Sequence, residues 1–160
     1  MTTRQDLIDG LKMIIREGQR ITSTFEAEDW KKQVHDDEGG GWNRKQVYCH
    51  ITAVGEIAPS MAPSLASVPA GGDAGAGVDI NALNAQLVAA KEALSEAELM
   101  DAFAAAYEKL IDFVKEMPVE QLQAQTTFGA ISGSVADVVD SLIVLHGLSH
   151  IYSAGGSATG

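Results

Sequence analysis

The chain has 160 residues, 46% of them hydrophobic, and a formal net charge of −11. That length suits one domain with a real core, and the scattered lysines and arginines form no basic stripe, so the surface should repel nucleic acid and anionic membranes. The one cysteine, Cys49, excludes an intramolecular disulfide, and Met1-Thr2-Thr3-Arg4-Gln5-Asp6 lacks the long apolar core of a signal peptide, which makes the cytoplasm the expected location.

The first predicted helix covers residues 4 to 29. Leu7, Leu11, Ile14, Ile21 and Phe25 follow a 3/4 spacing, and Gly18 fills the missing step. Residues 30 to 41 are polar and end in three glycines, as a loop would. A second helix starts after Asn43, with Gln46 completing a capping box and Trp42 placed to staple against Val47. Its inward stripe is Val47, His50 with Ile51, Val54 and Ala58. Pro59, or a point shortly after it, is its expected end. Residues 62 to 78 are rich in Ala, Gly, Ser and Pro and read as a long flexible loop.

A third helical stretch runs from about Ile80 to Met117, with a break near Ser95 because Ser95-Glu96-Ala97-Glu98 is an internal capping box. Leu99, Phe103, Ala106, Leu110, Phe113 and Met117 form its stripe, and Pro118 stops it. The fourth helix starts at Ser134, with Asp137 in the reciprocal capping position. Val135, Val139, Leu142, His146 and His150 lie along it, and it should end before Gly155-Gly156. Leu142 to Leu148 is soon interrupted by histidine, serine and glycine, so no apolar run is expected to suit a membrane span. No segment reads as a strand. The expected fold is all-α, a four-helix bundle of one domain over residues 1 to 160, with 154 to 160 as a tail.

Three of the four histidines fall on inward stripes. His146 and His150 are four apart, so on a helix they point the same way. A buried imidazole must satisfy two nitrogens, and Val139 and Leu142 offer them no polar partner. If His50 faces the pair, one transition metal satisfies three nitrogens and keeps a coordination position open. The pair is not the zinc-protease motif, which needs glutamate directly after the first histidine; here that residue is Gly147. His35, in His35-Asp36-Asp37-Glu38, reads as part of a solvated acidic loop. Cys49 points about 100° away from His50 around the helix axis and reads as a small packing residue. Trp42 and Tyr48 also read as packing residues, and Gln46 as a cap rather than a partner of His50.

Trp42 followed eight residues later by His50 and Ile51, the His146-x-x-x-His150 pair, the helix order and the long connection after the second helix together resemble the DinB-like superfamily. That superfamily includes the N-terminal domain of mycothiol-dependent maleylpyruvate isomerase, and the resemblance covers residues 4 to 153. It implies a divalent metal, zinc or nickel, held by His50, His146 and His150. It also implies a low-molecular-weight thiol cosubstrate such as mycothiol or bacillithiol, a small-molecule electrophile, and self-association as a homodimer. The additional C-terminal domain of those isomerases has no counterpart here, which weighs against the isomerase reaction itself. The leading expectation is therefore a metal-dependent enzyme, a thiol S-transferase joining a low-molecular-weight thiol to a small electrophile or one isomerising a thiol adduct, with catalytic residues unassigned. The alternative is a non-catalytic metal- or ligand-binding bundle, such as a stress-response protein.

Overall fold

The computed structural model describes residues 1–34 and 41–155; the acidic-loop reading of His35 lies outside them. Helix α1 spans Arg4–Thr22 and is opened by a capping box between Thr3 and Asp6. It is shorter than the periodicity suggests. The hydroxyls of Thr22, Ser23 and Thr24 turn back onto the carbonyls of Gly18, Arg20 and Ile21, and such local bonds compete with helix continuation. Phe25 leaves the helix and stacks edge-on against Trp30 in a short 3₁₀ turn, Asp29–Lys31, with ring centroids 5.1 Å apart.

Helix α2 spans Arg44–Ala66, with the Asn43–Gln46 capping box in place. It does not end near Pro59. Ala58, Ala62 and Leu65 are buried, and that continued stripe holds the helix through Pro59 and Pro63, so residues 62 to 66 are helical rather than loop. A series of turns leads to α3, Ile80–Ala89, capped by Asp79. The expected break follows, and α4, Glu96–Glu116, begins at the Ser95–Glu98 capping box. The turn before it is pinned to α2 by Lys91 to Glu56 at 2.6 Å and by the Gln46 amide to Glu92 at 2.6 Å.

A short helix α5, Val119–Gln123, leads into a feature the sequence reading lacks, an antiparallel hairpin of β1, Gln125–Phe128, and β2, Ile131–Ser134. Gly129 takes the first place of its two-residue turn with φ +58°, where a side chain would be strained. The last helix starts at the Ser134–Asp137 capping box. It runs continuously as α6, Val135–Val139, a π-helical segment, Asp140–Leu145, and α7, His146–Ala154.

Four long helices close a ring. α1 and α2 occupy opposite corners, each packed on both α4 and the last helix. This is the four-helix bundle, with α3 laid on the outside of α2. Leu7, Leu11, Tyr48, Phe103, Tyr107 and Ile151 fill its centre, and the Tyr107 hydroxyl donates to the Ile51 carbonyl at 2.7 Å. Phe103 rests where Gly18 has no side chain; a β-carbon there would lie 2.6 Å from the ring. Contrary to the reading of Leu142 to Leu148 alone, Val135–Ala154 is long and apolar enough by length and composition to cross a membrane. In this fold it is a core helix, half buried against α1 and α2.

Candidate metal centre

The π-helical segment decides how α7 meets its neighbours. Such a segment holds one more residue than an α-turn and shifts the phase of everything after it. Before it Val135, Val138 and Val139 are buried; within it Ile143 and Val144 are, and after it the buried line runs through Gly147, His150, Ile151 and Ala154. His150 therefore points into the bundle at 4% exposure. His146 stands at the edge of the buried face and opens onto a cavity.

From the neighbouring corner α2 delivers His50, 2% exposed. The capping box at Asn43 fixes where α2 begins, and buried Val47, Ile51 and Ala58 fix which way it faces. One ligand nitrogen from each of His50, His146 and His150 lies within 4.8 Å of the others. The two Nε2 atoms of His146 and His150 are 2.9 Å apart. Ring centroids are 4.4 Å apart for that pair, and 5.6 Å and 5.1 Å from His50 to His146 and His150. Among the described residues this is the one group of three such side chains close enough to share an ion.

The donor set suits a transition metal. Three imidazoles, with no carboxylate or thiolate beside them among the described residues, match a borderline divalent ion such as zinc or nickel, and not the oxygen shells of calcium or magnesium. Two nitrogens each about 2.05 Å from a tetrahedral ion would stand about 3.3 Å apart, so the His146–His150 spacing of 2.9 Å would open by about 0.4 Å to hold one.

Trp42 lies over this group, its ring 5.0 Å from His50 and 6.4 Å from His150. It is more than a packing residue on Val47: it walls the cluster from one side. Its place just before the cap of α2 was the visible signal, but only the chain path into α2 shows the indole folding back over His50.

On the other side His50 and His146 open onto a cavity of about 630 Å³. Its walls come from α2, α3, the hairpin turn and the π-helical segment. Val54, Leu83, Leu87, Phe128, Ile131 and Leu142 represent the apolar lining, and Asn81, Asn84 and Ser141 add polar groups. α3 was legible as a helix, but not as a cavity wall.

The other residues weighed from the sequence lie elsewhere. Cys49 is fully buried beside His50 in sequence but not in the cluster, and burial pushes its thiol up to about 11. Gln46 accepts from the Asn43 N–H and bonds Glu92, as a cap does. Tyr48 is buried between Trp30 and Phe103. At Gly147, where a protease would carry its glutamate, a β-carbon would meet Ile14 at 3.2 Å and the Tyr107 hydroxyl at 3.9 Å. That position faces α1 and the core and is not among the residues lining the cavity.

The family model for the mycothiol maleylpyruvate isomerase N-terminal domain matches residues 11–140. The chain belongs to that family, and through it to the DinB-like superfamily, whose members often bind a metal. His50 lies within the matched region, whereas His146 and His150 lie beyond it; the fold brings them to His50. No curated protein and no solved structure matches the chain.

Proposed function

We propose that this protein is a metal-dependent thiol S-transferase. His50, His146 and His150 hold one divalent transition metal, zinc or nickel. A low-molecular-weight thiol such as mycothiol or bacillithiol is joined to a small electrophile. One observation carries the reading: three imidazoles from two neighbouring helices converge where a closed wall, Trp42, meets an open cavity.

When bound there, such an ion supplies a Lewis-acid position that favours the thiolate form of a thiol near neutral pH. The imidazoles bind as neutral ligands and leave its positive charge uncompensated. α2 and the last helix hold the three rings in place, so little reorganisation accompanies binding. Trp42 keeps water from the far side of His50 and His150. The cavity wall orients the electrophile toward the His50 and His146 end. As the carbon–sulfur bond forms, the sulfur supplies the electron pair, the leaving group departs with its own pair, and the thiol proton goes to solvent.

One observation favours a second reading, a non-catalytic binding bundle: among the described residues no ionisable side chain other than the two histidines lines the cavity. Two measurements separate the readings. Elemental analysis of protein prepared without a histidine tag should find one metal per chain, lost on His146→Ala or His150→Ala. Metal-loaded protein should accelerate conjugation of a low-molecular-weight thiol to members of an electrophile panel. A metal-free native protein overturns the site; full metal with no accelerated conjugation leaves the binding bundle.

A further inference from the structure

The cavity beside the histidines has a chemical character of its own. Val54, Ile57 and Met61 of α2 face Leu83 and Leu87 of α3, and Phe128 and Ile131 close the hairpin side. Among the described residues no lysine, arginine, aspartate or glutamate lines it. Of the two asparagines that α3 adds to this wall, Asn84 is half-buried and Asn81 exposed.

Such a wall selects by charge. A carboxylate brought against aliphatic side chains loses its hydration and gains no cation in return. The chain's net charge of −11 adds long-range repulsion. A metal at the histidine end could balance one negative charge, but only at that end. A side-chain amide can donate to or accept from a neutral carbonyl, ester or hydroxyl group.

We propose that this cavity takes an uncharged, predominantly apolar electrophile whose body lies between α2, α3 and the hairpin, with Asn84 reading one neutral polar group on it. This rests on the transferase reading for the word electrophile, while the charge selection rests on the cavity alone. A dicarboxylate is excluded as a ligand of this wall.

The test uses matched probes that differ by one charge. Methyl 4-(chloromethyl)benzoate and 4-(chloromethyl)benzoate are the reactive pair. With either, a thiol sulfur bonds the benzylic carbon, chloride leaves with its electron pair, and the thiol proton goes to solvent. Methyl 4-methylbenzoate and 4-methylbenzoate are the unreactive pair, titrated against the metal-free full chain by calorimetry and by tryptophan fluorescence.

The neutral ester should bind at least tenfold tighter than the carboxylate, and its reactive counterpart should be conjugated with at least tenfold higher kcat/KM. Asn84→Lys, on the half-exposed side of α3, should move the binding ratio at least tenfold toward the carboxylate. Asn84→Ala should weaken the ester and leave p-xylene binding unchanged. Equal or tighter carboxylate binding by the wild type overturns the proposal, as does a ratio indifferent to Asn84→Lys. Charge selection in binding without conjugation of either reactive probe overturns the transferase reading alone. Conjugation without charge selection overturns this inference alone.

Discussion

The Gly129 N–H donates to the Asp73 carboxylate at 2.9 Å, fastening the connection between α2 and α3 to the tip of the hairpin. The same carboxylate oxygen accepts from the Gly75 N–H at 2.7 Å, and the Ala74 N–H reaches the Thr127 carbonyl at 2.8 Å. The hairpin tip and α3 both line the cavity, so this fastening holds two of its walls together.

Asp73→Ala removes two charge-assisted bonds at an exposed site, each worth about 1 kcal/mol there. Amide exchange at Gly75, at Gly129 and along α3 should quicken roughly thirtyfold, because the two bonds together are worth about 2 kcal/mol and about 1.4 kcal/mol is a factor of ten. The global unfolding midpoint should barely move. Unchanged exchange in α3 would show that the wall is held by other contacts.

Asp137 ties the chain's first residues to the last helix. Its carboxylate accepts from the Thr2 N–H at 2.6 Å, and from the Ser134 N–H and hydroxyl at 3.0 and 2.7 Å. These bonds hold its pKa well below the usual carboxylate range, the Thr2 bond most of all. A depressed folded pKa means stability that is full above the unfolded value, about pH 4, and is lost as the pH falls through the folded one. Asp137→Asn should therefore be less stable than the wild type at pH 7. The gap should narrow steadily below pH 4. Denaturant melts across that range read it directly, and a gap constant with pH would refute the account.

Gly18→Ala drives a methyl group to 2.6 Å from Phe103. That ring has nowhere to retreat, being fully buried with Tyr48 and Tyr107 at 5.7 and 5.2 Å. Overpacking of this kind costs about 1–3 kcal/mol, and the better helix propensity of alanine returns about 1 kcal/mol. The net cost of up to about 2 kcal/mol should lower Tm by up to about 8 °C. Adding Phe103→Leu should recover part of it; a Tm that rises in the single variant would contradict the packing.

Cys49 has no access to solvent, and its thiol is raised to about 11 by burial. Native protein at pH 8 should react with a thiol-specific reagent at least a hundredfold more slowly than unfolded protein. Metal content should survive Cys49→Ala. Fast native labelling would place the thiol where it could act as a nucleophile.

The helix starts at Asn43, Ser95 and Ser134 were legible because a cap is made by residues three apart, and sequence shows such neighbours directly. The approach of His50 to the His146–His150 pair was inferable from stripes, since two apolar faces in one small bundle have few ways to meet. The rest depended on partners distant in the chain. Pro59 and Pro63 looked like stops, yet buried Ala62 and Leu65 carry α2 past them. Ile131-Ser132-Gly133-Ser134 has almost no strand pattern; pairing with Gln125–Phe128 makes it one. Trp42 as a wall and α3 as a cavity side emerge only when separate elements are laid together. The π-helical segment has no signature in a reading that assumes one helical period.

That segment also sets a spacing. His146 and His150 stand twelve and sixteen residues after the capping Ser134, and one of those residues is absorbed between Asp140 and Leu145. A relative whose last helix is α-helical throughout would present the same pair eleven and fifteen residues after its cap. In this chain the helical phase between the cap and His146 is thus what turns the pair toward His50.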